Sequence, residues 1–299
     1  MKKILLILSF GSIILLVPSC RKETPIISGN GEQVINQGPQ FAATAPTRDD
    51  NMGLGNPSNA IANTSSPANY LMVKKDYTLS YNRDKGIPNW VCWHLSSAWK
   101  GNAPRIDKFK ADASLPSGWK RVSPADYTNS GFDKGHMCCS EDRDFNAAEN
   151  EETFLMTNMV PQSPNNNQQT WRSLEAYCQA LAATGNELYI CAGPNGQGGT
   201  GGKGPASSLG AGSIVVPASV WKVIVVLPVG ASDVKRITKT TRVIAVIMPN
   251  DQVVKSKPWG DYRVSVDQVE ALTGYDFLTA VSTTIQGTIE ANVDTGPTN

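Results

Sequence analysis

Histidine is scarce in this chain: the 299 residues contain two, His94 and His136. Imidazole is the side chain whose ordinary pKa lies nearest neutrality, so this scarcity narrows the search for a neutral-pH base to two positions. The six cysteines include no C-x-x-C pair, which removes the commonest zinc and thiol-redox frameworks. A surplus of charge of one sign is also missing, and a formal net charge of +1 excludes a uniformly basic surface. No apolar run reaches the roughly 20 residues that a membrane-crossing helix needs. The longest mostly apolar run, from Ile4 to Val17, stops short of that. There is no internal repeat and no series of βαβ units, so a solenoid and a doubly wound parallel sheet are excluded.

What is present divides the chain into three. Lys2 and Lys3, the apolar run and then Val17-Pro18-Ser19-Cys20 read as an export signal. The last four residues resemble the cleavage box of bacterial lipoproteins, with proline an atypical member. Residues 1–19 are expected to be removed, and Cys20 to carry a lipid anchor that holds an exported protein to the bacterial membrane, facing periplasm or exterior. An uncleaved membrane anchor is the alternative. Residues 20–68 are rich in Gly, Pro, Asn, Ser, Thr and Gln and read as a flexible, low-complexity tether. Residues 69–299 are long enough for one domain with a sizeable core. With Cys20 set aside, Cys92, Cys138, Cys139, Cys178 and Cys191 are odd in number, so at least one is free or paired between chains. One of Cys138 and Cys139 is expected to bridge to Cys178 and brace the segment around His136.

Charge is unevenly distributed. Residues 70–140 carry eleven Lys/Arg against six Asp/Glu and residues 203–263 nine against three, whereas residues 141–152 hold six acids and one arginine. Two basic stretches beside an acidic one suit a local groove for a polyanion, and chance clustering on a solvated face gives the same counts. Residues 77–81 and 90–95 read as strands, the second apolar at nearly every position and so central in a sheet. From Thr170 a helix is expected, because Trp171, Leu174, Cys178 and Leu181 recur at helical spacing and Gly185 supplies a stop. Strands are expected at 187–192, 214–216, 221–227 and 242–248, with a Gly-rich loop at 193–212 and a glycine-ended helix at 267–273. The sum is an α+β domain with mixed or antiparallel sheets.

The chemistry-bearing residues lie in two clusters. His94 sits in the apolar run Trp93-His94-Leu95 and reads as a structural side chain. His136 is flanked by glycine and charge in Asp133-Lys134-Gly135-His136, where no packing reason for an imidazole is evident. Asp133 offers a carboxylate to orient it and Lys134 a cation to bind an anionic substrate. The second cluster is Asn158 with Asn165, Asn166, Asn167, Gln168 and Gln169, leading into the helix that bears Glu175. Amide carbonyl oxygens suit a hard cation such as Mg²⁺, although asparagines before a helix also serve as caps. Glu175 stands about 12 Å of helical rise beyond Asn167, so it would reach a cation there through water.

On these residues the chain resembles the DNA/RNA non-specific endonucleases of the secreted bacterial nuclease and mitochondrial endonuclease G type. That family's D-R-G-H motif corresponds to Asp133-Lys134-Gly135-His136, its N-x-x-P-Q signature to Asn158-Met159-Val160-Pro161-Gln162, and its N-Q, W and L-E element to Asn167-Gln168, Trp171 and Leu174-Glu175. The resemblance extends over about residues 70–290 and implies a ββα-metal (His-Me finger) fold with a central, mainly antiparallel sheet flanked by helices. It implies that His136 is the general base, Asn167 the direct protein ligand of Mg²⁺ or Mn²⁺, and Glu175 a partner of the cation's water shell. It further implies that Asn158 positions base or substrate and that an arginine upstream of the motif, nearest at Arg105, contacts phosphate. The implied activity is metal-dependent, sequence-non-specific hydrolysis of double- and single-stranded DNA and of RNA to 5′-phosphate ends. Lys134 departs from the family's arginine, Gln179 stands where some members have a second arginine, and Cys138-Cys139 occupies a stretch often Ala or Pro. Two other readings stay open: a nucleic-acid-binding lipoprotein without catalysis, and a thiol or zinc site on His136, Cys138, Cys139 and Cys178.

Overall fold

The computed structural model describes residues 45–299. The signal segment 1–19, Cys20 and the first part of the expected tether lie outside the described residues. Strands β1 (Tyr70–Val73), β2 (Thr78–Asn82) and β3 (Ile87–Leu95) form a meander. The chain then leaves the sheet for an excursion that carries β4 (Asp133–His136), α1 (Ala147–Glu152), β5 (Met159–Gln162) and α2 (Arg172–Ala183). It returns as β6 (Asn186–Asn195), directly beside β3. Part of the expected Gly-rich loop folds as a small hairpin of β7 (Gly199–Gly201) and β8 (Gly204–Ala206), followed by β9 (Ser208–Leu209) paired with β10 (Ile214–Val215). Strand β11 (Ser219–Pro228), helix α3 (Asp233–Arg236), β12 (Arg242–Pro249) and β13 (Arg263–Val264) complete the sheet, and α4 (Val266–Thr273) and α5 (Thr283–Ile289) end the fold. The sheet has seven strands in the order β1-β2-β3-β6-β11-β12-β13. All its neighbouring pairs are antiparallel, which gives the expected α+β class with an antiparallel centre.

Both faces of this sheet are covered, so its central strands are apolar at successive positions. Alternation assigns each residue a side. Val91, Trp93, Leu95, Leu188, Ile190 and Ile224 face a core shared with α2, where Trp171, Leu174 and Cys178 are buried. Trp90, Cys92, Tyr189, Trp221, Val223 and Val225 face a second core with Val266 and Val269 of α4 and with Phe277 and Leu278. Helix α4 begins at a Ser265 capping box and ends at Gly274 with φ 73°, as a glycine stop predicts. The expected helix from Thr170 is also present, and it starts earlier, through a π-helical turn over Asn166–Trp171.

Two sequence expectations are corrected here. The stretch up to residue 68 is not tether throughout: Leu54 and Ala60 are buried in the second core, Trp90 Nε1 donates to Ser58 Oγ at 2.7 Å, and Ile61 bridges to Tyr70. Its apolar residues are few, but Met52, Leu54 and Ala60 pack on the sheet face. The disulfide also lies elsewhere than expected, between Cys92 and Cys191, which face each other across β3 and β6. Cys138, Cys139 and Cys178 are buried free thiols. Among the described residues, no helix is long and apolar enough to cross a membrane.

Candidate active site

Strand β4 pairs antiparallel with β5 in the register Asp133 to Gln162, Lys134 to Pro161, Gly135 to Val160 and His136 to Met159. Glycine is required at 135 because a Cβ there would lie 2.6 Å from the Gln162 Cβ and closer still to its side-chain oxygen. The pleat sends Lys134 and His136 to one side of β4 and Asp133 to the other. Lys134 Nζ accordingly sits 4.7 Å from the Phe109 ring centroid, and the His136 ring packs 5.5 Å from Phe109 and 4.9 Å from Phe154. Phe109, Lys134 and His136 line a cleft of about 520 Å³, together with Arg105, Asp133, Ser140, Asn167, Gln168, Arg172 and Glu175 among others.

His136 is buried, and its Nε2 has no hydrogen-bond partner among the described residues. Burial, with Arg105 and then Lys134 nearby, pushes its pKa down to about 3, so the ring is neutral at pH 7 with no proton to shed before acting as a base. Arg105 is held over Phe154 at 5.0 Å, and its Nη1 donates to Ser140 Oγ at 2.5 Å.

Asp133 does not orient the imidazole, contrary to the sequence expectation. Its Oδ2 accepts from Asn167 Nδ2 at 2.9 Å and Gln168 Nε2 at 2.8 Å. The carboxylate therefore fixes which end of the Asn167 amide faces away, leaving the carbonyl oxygen to act as a ligand. Of the two placements expected for Asn158, beside the base or at the substrate, the structure has the first: it is fully buried and makes no part of the cleft lining. Its Oδ1 accepts from Cys138 N, and its Nδ2 donates to Cys138 O and Thr153 O, all at 2.9 Å. It clamps the backbone that leaves His136 and touches nothing that a substrate could reach.

Glu175 closes the far side of the cleft from α2. Burial pushes its carboxyl up to about 7, against the lowering influence of Lys222 and with Asp142 and Glu141 adding to the rise. Lys222 Nζ lies 3.9 Å from Glu175 Oε1 and 4.2 Å from the Trp171 ring centroid, deep under the helix. Sequence reasoning missed its role, though a lone lysine in the apolar strand β11 was a usable signal. It missed Arg172 as well. Gln168, Arg172 and Glu175 follow one another by four and three residues, the spacing of a single helical face.

The Asn167 amide oxygen and the Glu175 carboxylate, both on the cleft, are oxygen donors of the kind that fit a hard divalent cation. A thiol or zinc site does not fit. Burial pushes the thiol of Cys178 up to about 12 and those of Cys138 and Cys139 upward too, and no metal-like cluster among the described residues contains a cysteine.

The other histidine lies across the sheet, in a group with Asp49, Glu187 and Asp233 whose donor atoms are within 4.8 Å of one another. His94 Nδ1 accepts from Trp99 Nε1 at 3.2 Å and from Asp49 N at 3.4 Å. A neutral ring then carries its proton on Nε2, facing Glu187 and Asp49 at 3.6 and 3.8 Å. It presents no free lone pair to a cation, in keeping with a structural histidine.

Comparison with known proteins points to one family. The family described as DNA/RNA non-specific endonuclease matches residues 54–284. A nuclease of Nostoc sp. is 49% identical over 264 residues, covering 87% of this chain and 92% of that protein. The human mitochondrial nuclease EXOG is 30% identical over 208 residues, 68% of this chain and 55% of that one. A crystal structure of the EndoG/EndoGI complex superposes with a TM-score of 0.63 at 27% identity, covering 78% of this chain and 91% of that chain, in line with the ββα-metal fold. The chain therefore belongs to the DNA/RNA non-specific endonuclease family and is a nuclease.

Proposed function

We propose that this nuclease is a divalent-cation-dependent, sequence-non-specific endonuclease of DNA and RNA that leaves 5′-phosphate ends, with His136 as its general base. The observation that carries the reading is the neutral, buried and unpartnered Nε2 of His136 in a polar cleft beside Asn167. In the reaction, His136 Nε2 takes a proton from water as the water oxygen bonds to phosphorus and the bond from phosphorus to the 3′ oxygen breaks. The leaving oxygen takes a proton from solvent. Arg105 and Lys134 lower the basicity of the free ring, and a phosphodiester beside them cancels that influence, so the base strengthens when substrate arrives. Mg²⁺ or Mn²⁺, held by Asn167 and through water by Glu175, would neutralise charge developing on the phosphoryl and leaving oxygens. The scheme never uses a 2′-hydroxyl, which admits both DNA and RNA, and its residues address phosphate and not base edges, which admits any sequence.

Plasmid DNA and an RNA transcript, incubated with wild type and His136→Ala, each with and without EDTA, test the reading. Chelation should stop cleavage, and the variant should lose roughly 10²–10⁴ in rate, the usual contribution of a positioned base. Near wild-type turnover by folded His136→Ala protein at pH 8 would overturn it.

The proposed location is a membrane surface, through a lipid on Cys20 exposed by removal of residues 1–19. The lipoprotein-like Val17-Pro18-Ser19-Cys20 motivates this. Cys20→Ser should free the protein from the membrane fraction, and unchanged processing and attachment would refute the anchor.

A further inference from the structure

Nine arginines lie in the described part of the chain, and eight have their guanidinium engaged. Arg48 pairs with Glu149, Arg83 with Asp84, Arg236 with Glu187 and Asp233, and Arg242 and Arg263 with Asp294. Arg143 is fully buried and spent on the carbonyls of Asp76, Asp142 and His94, Arg121 bonds the carbonyls of Ala113 and Leu115, and Arg105 holds Ser140. Arg172 alone has no side-chain hydrogen bond or ion pair to any described residue. It is also exposed, and it is part of the cleft wall.

We propose that Arg172 is a phosphate-binding residue of the cleft, gripping the nucleic-acid backbone beside the scissile bond. The proposal rests on the nuclease reading and assigns that site a further contact to its polyanionic substrate. Its position follows from the helix: the π-helical turn over Asn166–Trp171 runs straight into α2, and Arg172 stands one turn after Gln168 and one turn before Glu175, all three on the cleft. Gln179, one turn beyond Glu175, is committed elsewhere, with Nε2 donating to Asp142 Oδ1 at 2.9 Å. Charge supports the same assignment. The lining carries the acidic groups of Asp133, Glu141 and Glu175 against Arg105 and Lys134, and Arg172 adds a third cation to the wall that a polyanionic strand has to meet. A guanidinium can take two phosphate oxygens at once, which fixes register as well as supplying charge.

Affinity for a short DNA duplex, measured in EDTA across a range of salt on the His136→Ala background, tests this without turnover. Adding Arg172→Gln should weaken binding to a similar degree on unrelated sequences and make the slope of log K against log salt shallower by about one, the signature of one lost phosphate contact. Arg172→Lys should keep the slope, and Arg83→Gln, outside the cleft, should leave both quantities unchanged. Unaltered affinity and slope in Arg172→Gln would overturn the proposal. A parent His136→Ala protein that bound no nucleic acid would overturn the nuclease reading itself, and this assignment with it.

Discussion

The imidazole of His136 is held neutral at acid pH values where water would protonate it. Its ring lies against two phenyl rings with two cations nearby, and each of these surroundings disfavours a second proton. Stability should record this. The folded pKa, about 3, is below the value of about 6.5 expected of an unfolded histidine, so between those limits the unfolded chain binds a proton that the folded chain refuses. The contribution is therefore fully present above pH 6.5 and is lost as pH falls toward 3. Its slope approaches about 1.4 kcal/mol per pH unit for one proton. Chemical denaturation of metal-free wild type and His136→Gln between pH 7 and 4 should show the wild type losing stability more steeply. Parallel curves would mean that His136 titrates like an exposed imidazole, and the poised neutral base would have no basis. The raised carboxyl of Glu175 acts in the opposite direction, favouring the fold at low pH and losing that effect as pH rises through about 7, and it is common to both proteins.

At the scale of elements, the site is one excursion between two neighbouring strands. Strands β3 and β6 lie side by side, and the residues between them supply β4, β5 and α2, which bring His136, Asn167 and Glu175 to a single cleft. The residue types and their order were legible in the sequence because the chemistry demands them, and so was α2, whose buried Trp171, Leu174 and Cys178 keep helical spacing. Partner assignments were less legible. Asp133 and His136 are an odd number of residues apart, so once this segment is a strand they must point to opposite sides. Without an assigned strand, their closeness in sequence alone suggested contact. Asn158 was expected to position base or substrate, yet nothing local shows that it would do so by closing its amide on the Cys138 backbone. That depends on how β4 and β5 pair. The Cys92–Cys191 bond was illegible for a similar reason, since the register of two strands separated by the whole excursion decides which cysteines meet. Residues 51–60 were misread because composition reports how much apolar surface a segment has, not whether a sheet face is waiting to receive it.

In the whole molecule the sheet divides two kinds of work. The cleft, the buried Lys222–Glu175 pair and the unpartnered His136 all belong to the side of α2, and buried polar groups of this kind are retained at a cost in stability. The opposite side holds the second core, the early segment that packs on it, and the disulfide. A bond closing a loop of 99 residues removes much freedom from the unfolded chain, and such bonds contribute about 2–5 kcal/mol. In the folded state the same two strands are already joined by a ladder that runs from Val91 with Ala192 to Leu95 with Leu188, so the geometry around the cleft does not depend on the sulfur bridge. Replacing both residues, Cys92→Ala with Cys191→Ala, should therefore lower the melting temperature by on the order of 10 °C for a domain of this size. Nuclease turnover at 25 °C should stay within about twofold of wild type, because a change confined to the far side of the sheet removes no transition-state contact. Calorimetry and plasmid cleavage on the same preparation separate the two effects. An unchanged melting temperature would deny the bond its stabilising role. A fall in turnover while the protein remained fully folded would show that the two faces are mechanically coupled through β3 and β6, and the division of labour argued here would fail.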